Sequence, residues 1–239
     1  MKFVFSFLFV VVSIDPSFSQ VEVNRLTNLV QSVSSGSAAY GSGFKGIYNV
    51  RSSIKGDPYL DTAFRVSNFR FYKTTEQIKT PSRYDVLNNE LEIKTTAGVM
   101  VLPTKLVADF AVYKNQRDSI CFVNSAAYKF EEAPFEGFLH LVCVGEIQLL
   151  KLTRAEIVKP SYNPSLEVGD RDAYIVKKVT LYYSLTDKKI SKIKGKSEML
   201  SLFGERKELL KSFMTSNRLG FKNEDDLIKI FSLYNSLKI

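Results

Sequence analysis

An apolar–polar alternation with a period of two dominates the middle of the chain. Between residues 64 and 194 it marks about ten short runs rich in Val, Ile, Leu, Phe and Tyr, separated by turn residues. No apolar pattern of helix length lies between these runs. Because consecutive strands joined by short turns pair with their neighbours, the pattern predicts an antiparallel meander, sandwiched or barrel-like, rather than a parallel α/β sheet.

A hairpin centred on Asn88 and Asn89 is the clearest single element. Leu91 and Ile93 alternate with charged residues after it, and asparagine accepts the positive φ values that a two-residue turn needs. The other predicted strands cover residues 64–72, 98–102, 106–113, 119–124, 138–143, 146–157, 173–185 and 190–194. Val66 is out of phase with the aromatic residues that follow it, which predicts a bulge in the first of these strands.

The last fifth of the chain has helical periodicity. Ser197 is predicted to cap a helix that breaks or kinks at Gly204, and Asn223 is predicted to cap a second helix with three acidic residues in its first turn. The predicted apolar faces comprise Met199, Leu200, Leu202, Phe203, Leu209, Leu210, Phe213 and Met214, then Leu227, Ile228, Ile230, Phe231, Tyr234 and Leu237. Faces this wide must be covered, so the fold class is mainly β (α+β) with C-terminal α-helices packed on the sheet.

The N-terminal residues have a pattern that is typical of an export signal. Residues 3–14 form an apolar run that is too short to span a bilayer. The run ends at Asp15-Pro16, and the small residues Ser17 and Ser19 then provide a cleavage site for a signal peptidase. The predicted organisation is a signal peptide at 1–19, a short helix and Ser/Gly-rich segment at 20–46, an antiparallel β body at 47–195 and a helical segment at 196–239 in the same cooperative unit. The mature chain is predicted to have no transmembrane segment and to be periplasmic or extracellular.

Composition excludes several classes of site. The 239 residues include one His, two Cys and no Trp, so two-histidine metal centres and Cys₄ zinc modules are excluded. No glycine-rich phosphate-binding motif and no GxSxG motif is present. We therefore predict no catalytic, cofactor-binding or metal-binding residues and no cofactor.

Cys121 and Cys143 both lie on predicted strands that can be antiparallel neighbours. In an oxidising compartment such a pair can form a disulfide. The alternative is two buried thiols that act as small apolar side chains. His140, on the same strand as Cys143, is expected to point to the opposite face and to be a strand residue without a catalytic role.

Positive charge is concentrated at the C-terminal end. Residues 188–239 hold 12 Lys and Arg against 6 Asp and Glu, which is +6 of the net +8. Five lysines crowd together: Lys188, Lys189, Lys192, Lys194 and Lys196. Such a cluster can form an anionic-surface patch for lipid or polysaccharide, or it can mark a solvated edge strand whose lysines prevent aggregation. Export makes nucleic acid an unexpected partner.

Four weaker patterns have ordinary structural explanations. They are the Ser-x-x-Lys match at 52–55, the carboxylate pairs Asp170/Asp172 and Glu131/Glu132, and the aromatic run Phe69, Phe71 and Tyr72 beside basic residues. Each is expected to be loop, core or solvated surface, since none has the accompanying residues that acyl-enzymes or calcium sites require.

Four stretches together carry a resemblance to a known group. They are KGDPYLD (55–61), RYDVLNNELEIK (83–94), GFLHLVCVGEIQLLK (137–151) and EDDLIKIFSLYNSL (224–237). In these stretches the chain resembles uncharacterised secreted or envelope proteins of Bacteroidota. The resemblance implies export from a Gram-negative cell, and it carries no activity or site residue.

Two functions from different classes fit these features. The favoured one is an exported, non-catalytic envelope module that binds a protein, a glycan or an acidic surface. The alternative is a carrier that holds an apolar ligand in a barrel or clam-shaped cavity, with a hydrolase third. A large empty apolar cavity favours the carrier, whereas a filled core with an exposed basic patch favours the binding module.

Overall fold

The computed structural model describes residues 28, 54–95, 98–115, 118–131, 133–185 and 187–237. The predicted signal peptide, the predicted Ser/Gly-rich segment, Ser52 and Glu132 lie outside the described residues. The strands are β1 (Ile54–Lys55), β2 (Arg65–Phe71), β3 (Gln77–Asp85), β4 (Glu90–Thr95), β5 (Gly98–Leu102), β6 (Val107–Tyr113), β7 (Ser119–Asn124), β8 (Lys129–Phe130), β9 (Phe138–Cys143), β10 (Gln148–Val158), β11 (Ala173–Ser184) and β12 (Lys189–Lys192). The helices are α1 (Lys196–Leu202), α2 (Lys207–Ser216) and α3 (Glu224–Ser236), with 3₁₀ turns at Thr104–Leu106, Ser125–Ala127 and Gly204–Arg206.

The strands form one large, mostly antiparallel sheet in the order β5-β4-β3-β2-β6-β7-β9-β10-β11-β12-β8. Among the described strands, the short β8 and β1 are the ones that pair in parallel, with β12 and β11 respectively. The sheet is an open one, and the C-terminal helices pack against it. The prediction of a mainly β fold with an antiparallel sheet and packed C-terminal helices is therefore confirmed.

The first half of the sheet buries an aromatic face. Phe69, Phe110, Phe122 and Phe138 are nearly inaccessible to solvent, and their rings form stacked or edge-to-face pairs with centroids 4.8–5.4 Å apart. Val66 lies on the opposite face and is exposed. The irregularity predicted for this strand is present, although not at Val66, because β2 pairs with β3 in one regular register from Arg65 to Arg70. The register shift in β2 comes later, against β6, between Arg70 and Phe71.

The hairpin between β3 and β4 lies at the predicted place, but its turn is longer than the two residues predicted. Asp85 pairs with Glu90, so four residues make the turn, and of these only Asn89 has a positive φ, of 56°. The buried Asp85 carboxylate accepts hydrogen bonds from the backbone N–H groups of Leu87 and Asn88 at 2.9 and 2.8 Å. An aspartate at the turn entrance thus favours a wider turn than the asparagine pair alone predicts.

Residues 54–60 form a strap that joins distant strands. Ile54 and Lys55 pair with β11, whereas Leu60 N donates to Tyr84 O and Val86 N donates to Pro58 O, both at 2.8 Å. The strap is further held by Arg83, whose guanidinium lies 3.8 Å from the Tyr59 ring centroid. It therefore bridges β11 to the end of β3, on the far side of the sheet order.

The helices cover the C-terminal half of the sheet with a second core. Its fully buried members are Ile147, Leu149, Met199, Leu210, Leu227, Ile230 and Phe231. Asn223 caps α3 as predicted, accepting from Asp225 N at 2.8 Å, and the chain breaks at Gly204 as predicted. Two details differ: α1 begins at Lys196 with Gly195 as its N-cap instead of Ser197, and Leu209 is 50% exposed.

The interior is filled. Two small pockets among the described residues have volumes of about 30 and 150 Å³, and the smaller lies beside Phe130, Phe135 and Tyr182. Apolar carriers enclose cavities of roughly 300 Å³ or more. Both pockets are smaller than such a cavity.

Candidate functional site

The predicted lysine cluster is divided by the structure. Lys189 forms an ion pair with Glu131 at 2.6 Å, and Glu131 also accepts from Ser191 Oγ at 2.7 Å. The contact with Lys189 is the main cause that holds the pKa of Glu131 below its ordinary value, and the hydrogen bond from Ser191 is the second. Lys188 lies in the turn before β12 with a φ of 62°. The first half of β12 is covered by β8, so the cluster does not mark a free edge strand.

Lys196 is the cluster member that lies in a pocket. This pocket has a volume of about 150 Å³ and opens between the start of α1 and the end of α2. We call it the cationic pocket. Its lining residues are Lys196, Lys211, Met214, Thr215, Arg218 and Leu219. Three of the six side chains are positively charged, and no carboxylate is among them.

The end of α2 determines the shape of the cationic pocket. Leu219 N donates to Met214 O at 2.9 Å and Arg218 N donates to Thr215 O at 3.3 Å. This is the Schellman arrangement, which requires a left-handed residue at the position of Arg218, and the φ of Arg218 is 55°. Leu219 packs against the core that contains the buried Met214, so these two residues supply the apolar part of the pocket lining.

The charge of the cationic pocket is largely uncompensated. Lys211 has an acidic neighbour, Glu208, at 3.7 Å, but both side chains are more than half exposed, so solvent screens this pair. Among the described residues, no ion pair involves Lys196 or Arg218. By contrast, Arg206, which is nearby in sequence, forms an ion pair with Glu146 at 3.0 Å. The cationic pocket can therefore attract an anion.

The two cysteines are both unbonded in the structure. Cys121 is exposed on β7, in register with Ala111. Cys143 packs into the helical core, where its Sγ lies 3.7 Å from Ser232 Oγ and 3.7 Å from Asn235 Nδ2. Of the two alternatives, the structure thus has free thiols, with Cys143 as a small packing side chain, but Cys121 is exposed instead of buried.

His140 lies where the aromatic core meets the helical layer. Its ring contacts Phe122, and its strand neighbour Lys151 forms an ion pair with Glu224 of α3 at 2.6 Å. The pKa of His140 is lowered to about 4, mainly by burial and secondly by the Lys151 ammonium. Cys143 reaches the same helical layer because the register between β9 and β10 skips Val142, so the expectation that it points away from His140 is wrong.

The other sequence candidates have structural partners. Lys55 of the Ser-x-x-Lys match forms an ion pair with Asp172 at 2.5 Å, which fastens the strap to the start of β11. Phe69 and Phe71 are core residues, and only Tyr72 of that aromatic run is exposed. Among the described residues no group of three or more His, Cys, Asp or Glu is placed to hold a metal ion. No helix in the described ranges is long and apolar enough to cross a membrane.

Sequence reasoning missed Lys211 and Arg218. Lys211, Thr215 and Arg218 follow the i, i+4, i+7 spacing of one helix face, which was the available signal. It was obscured because the same segment carries a strong apolar periodicity. The closeness of α1's start to α2's end, which adds Lys196, has no local sequence signal.

Comparison with protein-family models, with curated proteins and with solved structures finds no match to this chain.

Proposed function

We propose that the chain is an exported, non-catalytic binding module that attaches to an acidic surface through its helical end. The observation that carries this proposal is the cationic pocket, in which Lys196, Lys211 and Arg218 meet without a lining carboxylate. Clusters of unpaired cations attract anionic lipid or polysaccharide, and the attraction is strongest for groups of opposite charge within a Debye length.

The core supports a binding role over the carrier alternative. The aromatic side chains Phe69, Phe110 and Phe138 fill the space that a carrier would leave for its ligand. The buried carboxylates give no support to a hydrolase either. The Asp85 carboxylate accepts hydrogen bonds from backbone N–H groups of its turn. The Glu92 carboxylate forms an ion pair with Arg83 at 2.7 Å and accepts a hydrogen bond from the Tyr59 hydroxyl at 3.1 Å.

Cosedimentation with lipid vesicles tests the proposal. Wild-type protein is expected to sediment with vesicles containing phosphatidylglycerol but not with pure phosphatidylcholine, and the bound fraction should fall as salt is added. The triple variant Lys196→Gln/Lys211→Gln/Arg218→Gln should lose this binding.

A charge-matched control separates the cationic pocket from net charge. It replaces three exposed cations elsewhere: Lys73→Gln, Lys159→Gln and Lys229→Gln. This control should bind nearly as well as wild type. Wild type that stays in the supernatant at low salt would contradict the proposal, as would equal losses in the two triple variants.

A further inference from the structure

We infer that the cationic pocket binds one phosphate group as a dianion, of the kind found in a phosphomonoester. The inference rests on the proposed function and specifies its ligand. A volume of about 150 Å³ is large enough for a single tetrahedral oxyanion.

The charge of the cationic pocket favours a dianion. Lys196, Lys211 and Arg218 bring three positive charges to one concave site, and a carboxylate or a phosphodiester supplies only one negative charge. A phosphomonoester carries about −1.5 to −2 at pH 7, because its second pKa is about 6. It also offers three acceptor oxygens, one for each cation. The ammonium groups act as point charges, and the guanidinium can bind two oxygens at once.

Arg218 stands where the end of a helix usually has glycine. Glycine is the usual residue at the left-handed position, because a side chain there costs conformational energy. The φ of Arg218 is 55°, and glycine appears only two residues later, at Gly220. An arginine at this position adds a guanidinium to the lining of the cationic pocket, which glycine would not supply.

The helix end does not oppose an anion as strongly as an uncapped one would. The carbonyl oxygens of Phe213, Met214 and Thr215 all accept hydrogen bonds from the turn that follows α2. The Asn217 side chain adds a second donor to Phe213 O at 2.8 Å. These bonds satisfy the carbonyl groups that would otherwise repel a phosphate at the negative end of the helix.

Titration with inorganic phosphate, followed by amide chemical shifts of the full chain, tests the inference. At pH 7 we expect saturable shifts at Lys196, Thr215 and Arg218, with a Kd on the order of 1 mM or lower. Binding should weaken severalfold at pH 5, where phosphate is a monoanion, and acetate should bind at least about tenfold more weakly.

Two variants make the result specific. Arg218→Gly removes the guanidinium and relieves the left-handed strain, so it should fold and lose phosphate affinity by at least about tenfold. Lys229→Gln removes one charge from the exposed face of α3 and should change affinity by less than about twofold. Equal losses in both variants, or no saturable shifts in wild type, would overturn the inference.

Vesicles distinguish a lipid headgroup from a soluble phosphoester. Preference for phosphatidic acid over phosphatidylglycerol, abolished by inorganic phosphate, supports the inference with a lipid source. Phosphate binding without vesicle binding supports it with a soluble source and ends the acidic-surface proposal. If the protein binds both lipids equally and inorganic phosphate does not displace it from the vesicles, the inference is overturned and the proposed function stands.

Discussion

The side chain of Asn235 occupies the space in which a Cβ atom at Gly145 would lie, 2.2 Å from the Asn235 Cγ. The φ of Gly145 is +156°, and the Asn235 amide fills the gap beside it, donating to Ile147 O at 2.9 Å and accepting from Ile147 N at 3.1 Å. The last turn of α3 is thereby joined to the β9–β10 turn by the same pair of bonds that a neighbouring strand would make.

Asn235→Ala should destabilise the protein by about 1–3 kcal/mol, since it leaves both backbone groups of Ile147 without their partner. Gly145→Ala should also destabilise, because the added Cβ overlaps the amide. In the double variant the overlap is relieved, so the combined loss of unfolding free energy should be smaller than the sum. Urea unfolding of the four proteins measures this coupling, and strictly additive losses would contradict the contact.

Removal of the helices should expose the core that they share with the sheet. Ile147 and Leu149 of the sheet are fully buried against Phe231 and Ile230. A chain truncated before Lys196 is therefore expected to aggregate or to lose its cooperative transition, and the full chain should unfold in one transition by calorimetry. A soluble truncated body with the thermal midpoint of the full chain would show that sheet and helices are separate units.

Arg83 and Glu92 form a pair whose side chains are only 16% and 12% exposed. Arg83→Met should cost about 3 kcal/mol, because it leaves the Glu92 carboxylate without its guanidinium beneath Tyr59. Adding Glu92→Gln should recover a part of that loss, since the remaining group is then uncharged. Denaturant midpoints of the two variants provide the comparison, and a double variant less stable than Arg83→Met would refute it.

The stability of the protein should depend on His140 between pH 6.5 and 4. In the unfolded chain the pKa of histidine is about 6.5, and in the folded protein burial lowers the pKa of His140 to about 4. The unfolded chain therefore binds the proton more readily in this range, so stability is complete above about pH 6.5 and is lost as the pH falls.

At pH 5 the loss attributable to His140 should be about 1 kcal/mol, after allowance for screening at the partly exposed ring. His140→Gln should lose less on going from pH 7 to pH 5, as measured by thermal midpoints at the two pH values. The pKa of Glu146 is lowered chiefly by the Tyr234 hydroxyl and Arg206, so the stabilisation that its carboxylate provides is lost only below about pH 4.5 and does not affect this comparison. Identical pH dependence in the variant and wild type would exclude His140 as the cause.

Arg218→Gly should be at least as stable as wild type, because glycine relieves the left-handed φ while the lost charge removes only a small favourable interaction with the helix dipole. Lys188→Gly is the matched comparison, since Lys188 has a φ of 62° but does not line the cationic pocket. Both thermal midpoints should equal or exceed that of wild type by up to a few degrees, corresponding to up to about 1 kcal/mol. A lower midpoint for Arg218→Gly would mean that the guanidinium is needed for folding.

Several strand boundaries were predictable from the apolar runs of the sequence. β5, β7 and β9 begin and end at the predicted residues. Most of β3 was missed, because two of its buried side chains are Thr80 and Ser82 and because Pro81 argues against a strand. In the structure the ladder to β4 ends at Ser82, and the Thr80 hydroxyl donates to Lys94 O at 3.2 Å beyond it.

The candidate site was predictable only through Lys196. Arg218 has a left-handed conformation that sequence patterns assign to glycine, so no rule of turn chemistry identifies it. The relation between His140 and Cys143 was mispredicted for a similar reason. A single extra residue in β9 reverses the alternation, and the residue types around Val142 do not announce it.

The strap has a consequence for how the chain folds during synthesis. Ile54 pairs with Ala173, so the ribosome must add well over a hundred residues before the strap can dock on β11. Until then Ile54 and Lys55 lack the strand with which they pair, and closing so long a loop carries a large entropic cost. Strands β2 to β6 pair with one another and need only residues made early, so the start of the strap is the segment that stays unpaired for most of translation.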